Sequence, residues 1–141
     1  MKKYTLGFIF NSDLSSVVLM QKARPDWQKG KLNGVGGKIE EGETAVACMA
    51  RETEEEAGLA TKPEAWIYVA LLRGPDWAMD VFALVYDGAA SDVKTLTDEP
   101  VAWYDVAALP EHALFNVPWL VQLSKDVITN DKIDTATVVY K

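Results

Sequence analysis

The segment from Gly36 to Leu59 decides the fold, and it reads GGKIEEGETAVACMARETEEEAGL. Glycines and acidic residues open it, and a run rich in alanine and charged residues follows from Thr44 to Ala57. Thr44 or Glu43 is a suitable N-cap for a helix, and Gly58 is placed to end one. The pattern therefore predicts a glycine-rich loop that leads directly into a helix over residues 44–57.

The last turns of this helix carry a dense acidic cluster. Residues three and four apart share one face of a helix, so Glu52, Glu55 and Glu56 project together while Glu54 points away. These carboxylates repel one another, and Arg51 can pair with Glu55 but cannot neutralise all three. Hard cations such as Mg²⁺ and Mn²⁺ take oxygen ligands and suit such a face. A solvated acidic surface is the alternative interpretation.

The glycine-rich loop before the helix favours the metal-binding interpretation. Glycines allow the backbone to approach a ligand closely, and the N-terminus of a helix favours anionic groups. A loop suited to phosphate that leads into a metal-binding helix is a specific combination.

The flanking sequence predicts the remaining elements. Strands are expected at residues 4–10, 16–22, 65–72, 77–86 and 101–104, and a second helix is expected at 117–129. The connecting segments are predicted as turns at 11–13 and 73–76 and a loop at 23–37, and the tail at 133–140 is β-prone. This order of elements predicts the α/β fold class, an α/β sandwich around a mixed sheet.

Composition limits the kind of protein. A chain of 141 residues, 49% hydrophobic and 25% charged, is expected to form one domain over 1–141. A net charge of −7 disfavours nucleic acid polymers and anionic membranes as partners. The single cysteine, Cys48, excludes an internal disulfide and indicates a reducing compartment. No apolar run reaches the ~20 residues of a membrane span, so a cytoplasmic location is expected.

The central segment resembles the conserved box of the Nudix hydrolase family. That box requires a Gly, five residues, a Glu, seven residues, Arg-Glu, an apolar position, one residue, Glu-Glu, one residue, Gly and an apolar residue. Residues 37–59 meet every fixed spacing with Gly37, Glu43, Arg51, Glu52, Glu55, Glu56, Gly58 and Leu59. The one departure is Thr53 at the apolar position. The resemblance implies the family's α/β/α sandwich around a mixed sheet.

The resemblance also implies a chemistry: water attacks a phosphorus of a nucleoside diphosphate derivative with the help of Mg²⁺, for which Mn²⁺ can substitute. The divalent cation neutralises phosphate charge and lowers the pKa of water. It implies that the carboxylates of Glu52, Glu55 and Glu56 are metal ligands or orient the metal-bound water, and that the carbonyl of Gly36 is a further metal ligand. Arg51 is expected to hold the carboxylates in place. Glu99, a few residues before Trp103, matches a further metal ligand or general base, with a plain loop acid as the alternative.

The sequence around the box is similar to MutT-like Nudix enzymes that sanitise oxidised purine nucleotides. Asn33-Gly34-Val35-Gly36-Gly37-Lys38 carries this resemblance. It implies base contacts from Asn33, Met79, Asn116 and Trp119, and phosphate contacts from Lys22, Arg24 and Lys38. Each has a structural alternative: a turn residue for Asn33, a core position for Met79 and Trp119, and solvated surface for the three cations.

The resemblance implies a Mg²⁺-dependent pyrophosphohydrolase that converts a nucleoside triphosphate into a monophosphate and pyrophosphate. The first substrate to test is 8-oxo-dGTP. An ADP-ribose or nucleoside diphosphate sugar pyrophosphatase is the alternative, suggested by Pro75, 16 residues past the box. A regulator that binds nucleotides without cleaving them is disfavoured by the intact box. The expected partner is a small nucleotide, bound by a monomer or homodimer.

Three further kinds of residue have plainer interpretations. Cys48 lies among small apolar residues and is expected to be packed, and His112 is expected to be exposed. Trp27 and Trp77 either line the cleft or pack in the core or at the rim of the cleft.

Overall fold

Seven strands and two helices make up the fold in the computed structural model, which describes residues 1–141. The strands are β1 Lys2–Phe10, β2 Ser16–Gln21, β3 Leu32–Asn33, β4 Ile67–Arg73, β5 Trp77–Val85, β6 Val101–Asp105 and β7 Ala136–Val139, and the helices are α1 Ala45–Ala57 and α2 Val117–Thr129. All strands belong to one sheet in the order β3-β2-β1-β5-β4-β7, with β6 paired to β2. The sheet is mixed, because β1 runs parallel to β5 and β4 runs parallel to β7.

Side chains of β1 alternate between the two faces of the sheet, as the period of a strand requires. Leu6 and Phe8 belong to the cluster that contains Leu120 of α2, whereas Ile9 belongs to the cluster that contains Met49 of α1. All five side chains are at most 3% exposed. Each face of the sheet is therefore covered by one helix, which confirms the predicted α/β/α sandwich.

The first two strands separate after the hairpin that joins them. Only Ile9 and Phe10 of β1 pair with β2, and β3 takes the same edge of β2 from Met20 onward. The next residues of the loop then return to β1, where Gly7 N donates to Val35 O over 2.6 Å. The glycine-rich loop is thus held between two diverging strands.

Both helices were predicted well because local signals define their ends. Thr44 Oγ accepts from Ala47 N over 3.2 Å at the N-terminus of α1, and Gly58 ends the helix with a φ of 72°. The second helix spans the predicted residues 117–129. No helix has the length and apolar character that a membrane crossing requires.

The expected loop at 23–37 was wrong in part. It contains a short 3₁₀ turn at Asp26–Gln28 and the two-residue strand β3. The partners of β3 come from β2 and not from its own neighbours, so local sequence carries no signal for it. Elsewhere the strand ends differ from the predicted ones by one to three residues, which is ordinary fraying of strand ends.

Candidate active site

The glycine-rich loop passes so close to β1 that only glycine fits at Gly36. Its φ is 153°, and a Cβ there would overlap the carbonyl oxygen of Thr5. The backbone N–H of Gly36 donates to Glu56 Oε1 over 2.9 Å. This hydrogen bond joins the loop to the last turn of α1, where the predicted carboxylates lie.

Arg51 is the cation that holds the acidic cluster together. Its guanidinium donates to both oxygens of Glu43, over 2.7 and 3.0 Å. The same group contacts Glu52 over 3.1 Å and Glu55 over 3.2 Å. The hydrogen bonds from Arg51 hold the pKa of Glu43 at about 2. A planar fork suits simultaneous contact with several carboxylates, and the role of Arg51 in positioning them stays a prediction.

Glu52 and Glu56 lie deeper than their neighbours on α1. Glu56 is 9% exposed, and burial raises its pKa to about 7. The hydrogen bond from Gly36 opposes this shift, while the negative charges of Glu52 and Glu99 add to it. Burial also raises the pKa of Glu52. These carboxylates are costly to ionise without a nearby cation.

Glu99 reaches this region from the loop before β6. It is 6% exposed and accepts from the backbone N–H of Ala23 over 2.8 Å. Lys22 Nζ lies 3.2 Å from its carboxylate and Arg24 Nη1 lies 3.6 Å away, while Arg24 also pairs with Asp98. Two of the three predicted phosphate-binding cations therefore surround Glu99, near the carboxylates of α1.

The donor chemistry of this site fits a hard divalent cation. The side chains are carboxylates, the nearby backbone supplies carbonyl oxygens, and one carboxylate is desolvated among negative neighbours. In this arrangement no three His, Cys, Asp or Glu side chains converge closely enough to enclose an ion. Protein donors hold Glu52 and Glu99 instead, so their roles as metal ligands stay predictions.

A cleft of about 530 Å³ opens beside the loop. It is largely apolar, as small-molecule sites usually are. Its walls are formed by Lys2, Tyr4, Leu6, Pro25, Trp27, Gln28, Asn33, Leu72, Asp76, Trp77, Met79, Leu114, Phe115, Asn116 and Tyr140. Three of the predicted base-contacting residues, Asn33, Met79 and Asn116, thus lie in one cleft, together with both tryptophans expected near it.

Two buried amides present hydrogen-bonding groups in this cleft. Asn33 is 8% exposed; its Oδ1 accepts from Gly34 N over 2.9 Å and its Nδ2 donates to Gln28 Oε1 over 3.4 Å. Asn116 is 7% exposed, and its Nδ2 donates to the hydroxyl of Tyr140 over 3.0 Å. Asn116 Oδ1 is the one buried side-chain nitrogen or oxygen that has no hydrogen-bond partner.

Some predicted residues lie elsewhere. Lys38 is exposed and its carbonyl accepts from Arg51, while Trp119 is 38% exposed and is not part of the cleft wall. The core alternative for Trp119 is therefore wrong, because the start of α2 turns this side chain toward solvent. Cys48 is buried and His112 is exposed, as predicted. The contribution of Tyr140 was missed, since a lone tyrosine in a β-prone tail carries no motif.

Thr53 shows why the departure from the family box is tolerated. Its side chain is fully buried at the apolar position, and its hydroxyl donates to Met49 O over 2.8 Å. A buried hydroxyl with a hydrogen-bond partner avoids the desolvation cost of an unsatisfied group.

The chain belongs to the NUDIX family, because the NUDIX domain profile matches residues 2–123. The predicted membership of the Nudix hydrolases is thereby confirmed. Members of this family generally use divalent metal ions.

Two relatives and one solved structure show the range of neighbours. Human 8-oxo-dGDP phosphatase NUDT18 is 33% identical over 113 residues, which are 76% of this chain and 33% of that protein. NAD-capped RNA hydrolase NudC from Chromobacterium violaceum is 30% identical over 92 residues, 65% of this chain and 35% of that protein. The chain thus spans about a third of the length of these relatives.

The solved structure comes from work on MutT of Aliivibrio salmonicida and Vibrio cholerae. It superposes with a TM-score of 0.69 at 26% identity, covering 89% of this chain and 98% of that chain. This similarity confirms the fold class and the MutT-like character of the chain.

Proposed function

We propose that this protein hydrolyses the anhydride bond between the α- and β-phosphates of an oxidised purine nucleotide, with 8-oxo-dGTP and 8-oxo-dGDP as the first substrates. Water adds to phosphorus as the anhydride bond breaks, so the triphosphate gives a monophosphate and pyrophosphate, and the diphosphate gives a monophosphate and inorganic phosphate. The diphosphate is included because the human relative is named an 8-oxo-dGDP phosphatase. The observation that carries the proposal is the unpartnered Oδ1 of Asn116 in the cleft.

The carboxylates and the cleft are close enough to serve one nucleotide. Asn33 in the cleft precedes Gly36 at the carboxylates by three residues. Three residues of extended chain span at most about 10 Å. A base held in the cleft therefore places its phosphates near the last turn of α1.

The carboxylate site supplies the hydrolytic chemistry. Glu52, Glu55 and Glu56 would hold Mg²⁺, with the carbonyl of Gly36 and the carboxylate of Glu99 as further oxygen donors. When bound, the cation supplies positive charge for the phosphate oxygens and acidifies water. Arg51 keeps Glu52 and Glu55 oriented, as its contacts of 3.1 and 3.2 Å indicate.

The region around Glu99 supplies the remaining charge control. Lys22 and Arg24 offset the negative charge of Glu99 and lie where they can meet phosphate oxygens. The family resemblance makes Glu99 a candidate for accepting a proton from the attacking water, and its buried carboxylate is held in position by Ala23 N, Lys22 and Arg24. Lys38, exposed at the loop surface, is a further candidate for a phosphate contact.

The polarity of the cleft supports an oxidised purine. Oxidation at C8 converts N7 of guanine from an acceptor into an N–H donor. Asn116 Oδ1 can accept a hydrogen bond from that N–H, whereas the lone pair of an unmodified N7 would face another acceptor. An acceptor left without a partner in a buried site is costly. Met79 and the aromatic side chains of Trp27 and Trp77 provide apolar surface for the rings.

The test is a hydrolysis screen in which the products are separated and identified. The panel contains natural dNTPs and dNDPs, 8-oxo-dGTP, 8-oxo-dGDP, ADP-ribose and NADH, each with Mg²⁺ and with Mn²⁺. The proposal predicts formation of 8-oxo-dGMP with kcat/KM at least about tenfold above that for the unmodified nucleotide. Glu56→Gln is the inactive variant, and Glu54→Gln, at an exposed neighbouring position, is the matched control.

Other products would replace the proposal. AMP and ribose 5-phosphate from ADP-ribose would establish the nucleoside diphosphate sugar alternative, which Pro75 suggested and which the NAD-capped RNA hydrolase relative supports. Nucleotide binding without turnover under either metal would indicate a regulatory role.

A further inference from the structure

The loop before β6 carries one buried carboxylate among exposed residues. Residues 94–98 and Pro100 are exposed, whereas Glu99 is 6% exposed. The Ala23 N–H and the Lys22 ammonium both contact Oε2 of Glu99, over 2.8 and 3.2 Å. An exposed loop has little packing to hold it in place, so its position depends on its hydrogen bonds. The contacts that fix this loop therefore also decide where the Glu99 carboxylate lies.

The hydroxyl of Thr95 closes the base of this loop. It accepts from Val101 N over 3.0 Å and donates to Val101 O over 3.4 Å. Because a backbone N–H only donates and a carbonyl only accepts, both roles of the hydroxyl are unambiguous. The carbonyl of Pro100 accepts from Gln21 N of β2, so Val101 presents its backbone groups to the outer edge of β6. Thr95 thus occupies the place where another strand would pair.

The same end of the loop is anchored beside Glu56. Lys94 N donates over 2.9 Å to the carbonyl of Ala57, the last residue of α1. Glu56 precedes Ala57, and the charge of Glu99 contributes to its raised pKa. Thr95 therefore follows directly after the point where the loop is bound to the helix that carries Glu56. A fixed loop base keeps the two carboxylates at a fixed separation.

We propose that Thr95 is a positioning residue for hydrolysis, whose hydroxyl fixes the loop of residues 95–101 so that Glu99 stays in the carboxylate site. Loss of the hydroxyl removes two hydrogen bonds and lets the loop open locally while the sheet and the helices persist. The inference rests on the proposed function in the chemical role that it gives to Glu99. The position of the Glu99 carboxylate can be measured without metal or substrate.

The backbone N–H of Ala23 reports the position of the Glu99 carboxylate, to which it donates. Amide hydrogen exchange followed by NMR, in buffer containing EDTA, gives its exchange rate. The Gly36 N–H is the matched internal reference, because it donates to the buried carboxylate of Glu56 over 2.9 Å. In Thr95→Val, which keeps nearly the same shape, the Ala23 amide should exchange about tenfold faster while the Gly36 amide stays within about twofold of wild type.

Two variants serve as controls for the exchange measurement. Thr95→Ser keeps the hydroxyl and should hold the Ala23 amide within about threefold of wild type. Thr135→Val removes an exposed hydroxyl next to β7, at the far edge of the sheet from β6, and should change neither amide. Faster exchange of both amides in Thr95→Val would show a general loss of stability and overturn the inference. Unchanged exchange of the Ala23 amide would overturn it as well.

The affinity for Mn²⁺ connects the position of Glu99 to its chemical role. Binding is followed by the EPR signal of the free ion for Thr95→Val, Glu99→Gln and the double variant. Thr95→Val should weaken binding, and it should add less than about twofold to the loss in Glu99→Gln, because it acts through the same carboxylate. Losses that multiply would overturn the positioning role.

The design separates the failure of the inference from the failure of the proposed function. Unchanged Mn²⁺ affinity and unchanged kcat in Glu99→Gln would remove Glu99 from the proposed function and overturn the link between Thr95 and hydrolysis. The exchange rate of the Ala23 amide would still decide whether Thr95 fixes the position of Glu99.

Discussion

Glu56 is the residue at which the sequence motif and the tertiary environment act together. We expect Glu56→Gln to lower kcat by at least about 100-fold, because it removes a buried carboxylate from the proposed metal and water site. The residue is 9% exposed and bound to Gly36 N over 2.9 Å. Steady-state hydrolysis of the best substrate from the screen, at saturating Mg²⁺, provides the measurement.

The neighbouring acid tests whether charge alone explains such a loss. Glu54 lies on the opposite, exposed side of α1. Glu54→Gln changes the net charge by the same amount and should keep kcat within about twofold of wild type. Equal losses in the two variants would show that general acidity of α1, and not the position of Glu56, supports catalysis.

Glu43 should make stability depend on pH in a specific range. Its pKa is held at about 2 by Arg51, against an ordinary value of 4.5. A lowered pKa in the folded state stabilises the protein fully above about pH 4.5, and this stabilisation is lost as the pH falls toward 2. Glu43→Gln should therefore unfold at lower urea concentration than wild type at pH 7, with a difference that shrinks below pH 4.5.

The control for this prediction is the exposed neighbour Glu41, which makes no ion pair. Glu41→Gln should follow wild type at every pH. A difference between wild type and Glu43→Gln that stayed constant from pH 7 to pH 3 would contradict the role of the ion pair with Arg51.

At the scale of the element, α1 depends on its N-terminal cap. Thr44 Oγ accepts from Ala47 N over 3.2 Å, and alanine at this position cannot do so. Thr44→Ala should lower the free energy of unfolding by about 1 kcal/mol. Thr44→Ser keeps the hydroxyl and should lose much less. Urea titration at pH 7 distinguishes the two, and equal losses would assign the effect to the missing methyl group.

The two helices differ in how fully their sequences explain them. Cap residues and spacing along the chain define α1, because its N-cap bond and the Arg51–Glu55 pair join residues within four positions. The C-terminal end of α2 also depends on neighbouring residues, since Asn130 N donates to Asp126 O. At its N-terminal end, the side chain of Asn116 makes no capping bond and lines the cleft. Sequence indicates where α2 begins and cannot show that the N-cap side chain contacts Tyr140, which follows strand β7.

At the scale of the whole molecule, the thiol of Cys48 reports the cooperativity of the fold. It is fully buried beside Thr5 of β1 and the carbonyl of Lys38, and burial raises its pKa to about 11. At pH 8 both burial and protonation prevent reaction, since the thiolate is the nucleophile. Labelling by a thiol reagent should be at least about 1000-fold slower in native buffer than in denaturing urea.

A matched variant verifies that the reagent works under native conditions. Cys48→Ala combined with Ser91→Cys moves the only thiol to an exposed turn. This variant should react at similar rates with and without urea. Rapid labelling of wild type in native buffer would mean that the loop and α1 separate readily from β1.

The family, the α1 helix and the carboxylate face could all be predicted from the sequence, because each depends on residues near one another in the chain. Arg51 and Glu55 pair across one helical turn, so their spacing predicts their contact. The cleft residues Asn33, Met79 and Asn116 were found by resemblance, and their hydrogen bonds were not.

Properties that arise from contacts between distant residues become visible only in the folded chain. Glu99 meets the backbone of Ala23 across 76 positions, and strand β3 exists because β1 and β2 diverge. The raised pKa of Glu56 follows from burial, and the contact between Asn116 and Tyr140 joins residues 24 positions apart. Burial and long-range hydrogen bonds depend on the complete fold, and no pattern of neighbouring residues encodes them.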